Sequence, residues 1–302
     1  MQLEYKKYYK DSRALALDSI HGLAFHRGLG SNLHMSSTIP IKKYVDTDTV
    51  SEYAASAYAK SNFAVVANGA EQGELSKWVN EFFTDVPSQA AYELKAEQSK
   101  YYGGEERIDH ASGNTLVLAF PGSSSPTGSF YKPEIAVLAT LLGGQTTIKW
   151  SPGFSLLSKA TKEAPNMFID TNSLIYSDAG LLTITLSGST DDIKKTAPKV
   201  VEALKGVAQN ISEEDFAKAK ALAKFKGLEF GQETVAGIEL TGSGLVNGGK
   251  AYQMDEVAKA EEGVTIEKVK KAAKDALENK ASVSAIGDLF QLPFASELGL
   301  KV

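Results

Sequence analysis

Apolar residues recur along this chain at two periods, three to four residues apart in some stretches and in short unbroken runs in others. Leu15, Leu17, Ile20, Leu23, Ala24 and Phe25 follow the helical period and predict a helix ending near Gly28-Leu29-Gly30. Thr47 or Asp48 is placed to cap a helix through about Lys60 that buries Tyr53, Ala54, Ala57 and Tyr58. A strand over residues 63–67 follows. The next helix, from about Glu71 to Phe83, sets Leu75, Trp78, Val79 and Phe82 on one side, the spacing of a core face.

Further on, a strand is predicted over residues 115–120 and an apolar helix from Pro133 to Leu142. Pro133 sits near the first turn, where its missing N–H costs nothing, and Gly143-Gly144 ends the run. A short loop with Trp150, Pro152 and Gly153 leads to a second helix carrying Phe154, Leu156, Leu157 and Ala160. Two β-like runs, 166–176 and 181–187, are joined at Ser177-Asp178-Ala179-Gly180. Ser189 with Asp192, and Ser212 with Asp215, are capping boxes for helices through about Val207 and Phe230, the first bent at Pro198. A Gly-rich segment over 241–249 is expected to separate two helical pieces. A last helix, Ile266–Glu278, leads into a strand over 281–286.

That ending repeats an earlier one. TDTVSEYAASAYAKSNFAVVANG (47–69) and TIEKVKKAAKDALENKASVSAIG (265–287) share a Thr, paired alanines, a β-like run and a terminal Gly at a constant offset. Between the copies, residues 87–112 are polar and aperiodic, and read as a connector with a short edge strand near 105–108. The chain therefore divides into residues 1–86, the last part of a first domain, the connector 87–112, and a complete second domain, 113–302. An unfinished first sheet leaves an edge and apolar surface exposed, and predicts a tendency to associate.

The 302 residues suffice for two cores, and 43% hydrophobic with 23% charged residues is ordinary for a globular protein. A formal charge of −5 gives no electrostatic basis for nucleic-acid binding. With no cysteine, disulfides and thiolate chemistry are excluded. No apolar run reaches the length of a transmembrane helix, so any membrane association is expected to come through partner subunits. MQLEYKKYYKDSR, with Glu4 and Asp11 among its basic residues, does not read as a targeting peptide.

Candidate chemistry is sparse. His21 and His26 lie about 140° apart around a helix and cannot share one ion as an i,i+4 pair could. Together with His34 and His110 they are expected to be surface or hydrogen-bonded residues. PGSSSPTG (121–128) lacks the Lys-Ser/Thr ending of a phosphate loop and reads as a turn; Gly242-Ser243-Gly244 is not a nucleophile elbow. Asp191-Asp192, Glu213-Glu214-Asp215 and Glu261-Glu262 are read as carboxylates at helix starts or in loops, where the dipole explains them. No catalytic, cofactor or metal residue is assigned, and no pocket motif supports an isolated ligand-binding module.

The helix–glycine loop–helix–hairpin order, SIHGLAFHRGLG (19–30), KWSPGFSLLSK (149–159), YSDAGLLTITLSG (176–188) and GDLFQLPFASEL (287–298) resemble the mitochondrial processing peptidase family, in its fungal branch of respiratory complex III core proteins. The resemblance implies an α+β fold of duplicated processing-peptidase-like (metallohydrolase-like) domains, each with a mostly antiparallel sheet and helices packed on one face. It implies a non-catalytic structural subunit of complex III without cofactor. The implied partners are core protein 1, other complex III subunits and its own symmetry mate, at the matrix side of the mitochondrial inner membrane. The alternative it carries is a subunit of the zinc-dependent processing peptidase. Active members use H-x-x-E-H and a distal glutamate, and no H-x-x-E-H occurs here. Glu4 falls near the distal glutamate's place and is read as structural. The loop 149–154, with Trp150, is expected either to form a subunit contact or to pack on its own domain.

Overall fold

A computed structural model of the chain describes residues 2–32, 45–92, 98–146, 153–160, 164, 166–248 and 250–302. Its centre is a strand whose sequence is apolar toward both sides: β2 (Asn114–Pro121), NTLVLAFP, with six consecutive buried residues. A run of this kind is stable only where both sheet faces are covered. β1 (Gly104–Asp109), β3 (Phe168–Ile175), β4 (Gly180–Gly188) and β5 (Ser282–Gly287) complete a sheet of order β1-β5-β2-β4-β3. β2 is antiparallel to β4 and β5, and β3 to β4, whereas β1 runs parallel to β5. This is the mostly antiparallel α+β arrangement expected, and β1 is the edge strand anticipated within the connector.

One face carries the helical layer. Leu116, Leu118 and Phe120 of β2 stand opposite Leu186, Ile184 and Leu182 of β4. They join Val283 and Ala285 in one core with α5 (Pro133–Leu142), α7 (Thr190–Gln209), α8 (Glu213–Gln232) and α11 (Ile266–Glu278). Both capping boxes are present: Ser189 Oγ accepts from the Asp192 N–H at 3.1 Å, and Ser212 Oγ from the Asp215 N–H at 3.0 Å. Ser189→Ala is expected to cost about 1 kcal/mol, read as a lowered urea midpoint; an unchanged midpoint would mean that the cap contributes nothing. The helix α7 runs on through Pro198. Gly143 ends α5 at φ +58°. A Cβ on Gly144 would lie 2.3 Å from the Ile169 carbonyl oxygen, so the chain turns there because it has no side chain. The short helix α6 (Leu156–Ala160) follows.

The opposite face is covered from the N-terminal stretch. After α1 (Gln2–Tyr8), Asp11 caps α2 (Ser12–Phe25) by accepting from the Arg13 and Ala14 N–H groups. Ala16, Ile20 and Ala24 form a four-residue ridge and, with Phe25, meet Val117, Ala119, Leu181 and Ile286. Three hydroxyls on this face form a chain: Ser12 Oγ is 3.0 Å from Thr115 Oγ1, which is 2.8 Å from Ser187 Oγ. The helix α2, expected in a first domain, thus completes the core on the other face of this sheet.

Five local expectations are corrected. Asp46, not Thr47 or Asp48, caps α3 (Thr47–Ala57), its Oδ1 accepting from the Thr49 N–H at 2.8 Å. Tyr53 and Tyr58, expected inside, are exposed. Residues 63–67 form no strand, and none occurs among the described residues of 2–92, because extended backbone without a neighbouring strand has nothing to pair with. On α4 (Gln72–Phe82), Trp78 and Phe82 stack on each other at 5.6 Å but remain exposed, since none of the described elements lies over them. The segment 241–248, read as a break, is the second half of α9 (Thr234–Gly248), which packs along α8. Gly244 lets the chain after α9 return close to it, because a Cβ there would meet the Lys250 carbonyl oxygen at 2.3 Å.

Candidate functional site

The histidines are spread through the structure and engaged locally. His21 Nδ1 is 2.5 Å from the Leu17 carbonyl oxygen and its Nε2 2.5 Å from the Tyr176 hydroxyl, so it ties α2 to the β3–β4 turn. His26 follows the end of α2 at φ +59° and stacks on Tyr102 with ring centroids 3.9 Å apart. His110 Nδ1 accepts from the Ser112 N–H at 3.2 Å. Glu4 is exposed in the first turn of α1. His34, Trp150 and Pro152, and with them most of the 149–154 loop, lie outside the described residues. Among the described residues, no three His, Asp or Glu side chains gather as metal ligands would.

The serine loop is built as a turn. Ser123 Oγ accepts from the Lys132 N–H at 2.7 Å and Ser124 Oγ from the Phe130 N–H at 3.1 Å, which leads the chain into α5. Asp191, Asp192, Glu213, Glu214 and Asp215 occupy first turns of helices, as the dipole argument expects.

Two arrangements were not visible in the sequence. In the first, Arg107 on β1 gathers the C-terminal segment: Nη1 donates to the Pro293 carbonyl at 3.0 Å, and Nη2 to those of Leu289 at 2.9 Å and Leu292 at 2.8 Å. Its guanidinium lies 3.8 Å from the Phe294 ring centroid and 3.2 Å from Glu105 Oε1. Glu105 Oε2 in turn accepts from the Ala295 N–H at 3.2 Å. The loop so held presents Phe290 entirely to solvent.

The second is a cavity of about 520 Å³ between α8, α9, α10 (Met254–Glu262), the start of α5 and the β3–β4 turn. Met254, Val257 and Glu261 line it from one side of α10. Glu261 is therefore near the C-terminal end of a helix, not at a helix start or in a loop, and it is only 5% exposed. Its Oε2 has no hydrogen-bond partner. Burial pushes its carboxyl up to about 7. Tyr131, in the same cavity, is raised by burial and then by the negative charges of Glu261 and Glu134. The legible signal was an acid at the i+7 place of an apolar helix face, beside Met254 and Val257.

The family model described as the peptidase M16 inactive domain matches residues 44–222. The chain belongs to this family, and the matched domain is its inactive one. Among curated proteins it is 47% identical to the cytochrome b-c1 complex subunit 2, mitochondrial, of Neurospora crassa, over 97% of this chain and 64% of that protein. To the protein of the same name in Yarrowia lipolytica it is 32% identical, over 98% of this chain and 68% of that one. The mitochondrial-processing peptidase subunit alpha-2 of Dictyostelium discoideum is 27% identical over 96% of this chain and 65% of its own length. The fold matches a chain of "Complex III2 from Candida albicans, Inz-5 bound" with a TM-score of 0.79 at 14% identity, covering 98% of this chain and 72% of that one. The chain spans 64% of the length of the first of these curated relatives. H-x-x-E-H does not occur in the given sequence, and His21, His26 and His110 are each engaged locally.

Proposed function

We propose that the chain is part of a non-catalytic core subunit of respiratory complex III, which supports its assembly by contact with core protein 1, other subunits and its symmetry mate. The observation that carries this reading is the 47% identity to a cytochrome b-c1 complex subunit 2 along almost the whole chain, against 27% to a processing-peptidase subunit. A contact role also suits the surface, which presents aromatic side chains at Trp78, Phe82 and Phe290. No described helix is long and apolar enough to cross a membrane, consistent with peripheral attachment at the mitochondrial inner membrane through partner subunits. We place it on the matrix side, and divide it into 1–86, the connector 87–112 and the domain 113–302.

The test is co-migration. The tagged protein, expressed in fungal mitochondria, is expected to run with cytochrome b on native gels and to resist protease until the inner membrane is lysed. Replacing Trp78 and Phe82 together by glutamate is expected to weaken that association by roughly 2 kcal/mol, about thirtyfold. Cleavage of a presequence peptide, or zinc retained stoichiometrically after dialysis, would sink the reading in favour of the peptidase.

A further inference from the structure

The cavity at Glu261 is not explained by a contact role. Its walls are apolar, with Tyr131, Phe230, Leu240, Met254 and Val257 among them, and its volume lies in the range of small-molecule sites. Against those walls sits one carboxylate, 5% exposed, with Oε2 unpartnered. A buried carboxylate needs a partner or must hold a proton.

The protein does not supply that partner. From α8, Lys220 donates to the Val264 carbonyl and Lys224 is paired with Glu262. On α10 itself, Lys259 is paired with Asp255. Lys250, after α9, is paired with Glu256, beside Tyr252. α9 contributes Glu239, and the start of α5 contributes Tyr131, Lys132 and Glu134, with Lys132 exposed. The cavity is thus acidic at its floor and aromatic on its walls.

We propose that this cavity binds a small organic cation, an ammonium group on an apolar body, with the nitrogen against Glu261 Oε2 and the body between Phe230, Met254 and Tyr131. An ammonium meets both unsatisfied features at once. It donates a charge-assisted hydrogen bond to the carboxylate and rests on aromatic faces that attract cations. The ordinary pKa of an alkylammonium keeps it charged throughout the neutral range, so the proton balance of binding falls on Glu261: at and below about pH 7 the acid releases its proton to the buffer when the cation binds, and at pH 8 it is already ionised.

The probe is phenethylammonium chloride, titrated calorimetrically into the protein, with phenethyl alcohol as the neutral isostere. Saturable binding is expected at pH 8. Because only ionised Glu261 is competent, affinity falls about 30-fold at pH 5.5. The alcohol is expected to bind roughly tenfold more weakly at pH 8. Glu261→Gln is expected to erase the preference for the amine and its pH dependence. Equal binding of amine and alcohol to the native protein, or no saturable binding at pH 8, overturns the proposal without reference to the variant. Undiminished amine binding by a folded Glu261→Gln protein overturns it as well.

Discussion

Arg107→Met is expected to lower stability by about 3 kcal/mol or more and to free the C-terminal segment while leaving the rest of the sheet in place. The side chain of Arg107 is 13% exposed and its fork satisfies three backbone carbonyls. Hydrogen bonds from a charged donor contribute roughly 1.5–3 kcal/mol each, and less than the sum where they share one group. Methionine keeps a flexible apolar stem against Phe294 but offers the carbonyls nothing. It also leaves Glu105, 17% exposed, without its cation. A lysine would fare little better, because one ammonium cannot reproduce the planar fork. The measurements are the denaturant midpoint and amide exchange over residues 289–298. Unchanged protection of those amides would show that the segment is held by Leu292, Ala295 and Leu298 in the core alone.

Glu261→Gln is expected to do the reverse, and its sign depends on pH. The folded carboxyl titrates at about 7, above the ordinary 4.5, because burial disfavours its charge. Between those values the native state binds more protons than the unfolded chain, so stability falls as pH rises through the window and levels off above it. At pH 8 the buried charge costs between about 3 and 4 kcal/mol, the gap between the two values taken at about 1.4 kcal/mol per pH unit. Glutamine removes that cost. The variant should melt higher than the native protein at pH 8 and at nearly the same temperature at pH 4.5. An equal shift at both pH values would mean that packing, and not charge, separates the two proteins.

Both residues show how local reading reaches its limit. Arg107 lies in a polar stretch read as a connector with an edge strand, and the edge strand is there. What the fork does depends on carbonyls some 180 residues away in sequence. Glu261 sits in a run of acids, and a run of acids on a short helix is ordinarily solvated. Only the approach of α8 and α9, with Gly227 beneath the carboxylate, turns it into a buried charge.

The sequence by itself determined the features set within a few residues. The helix Ile266–Glu278 has the bounds its apolar period predicts, and both capping boxes form as Ser-x-x-Asp dictates. Gly143 stops α5, and the β3–β4 hairpin turns at 177–180. Caps, stops and periods are satisfied or not by neighbours four residues away, so they are written locally. The tertiary structure decided which apolar faces find cover. Residues 63–67 repeat the pattern that makes β5, but β5 lies between β1 and β2, while the earlier run has no strand beside it among the described residues. Trp78 and Phe82 have core spacing but no covering element among the described residues, whereas the ridge of α2 finds the second face of the sheet. Periodicity states that a face is apolar; burial requires another surface to meet it, and that surface comes from a part of the chain the period does not contain.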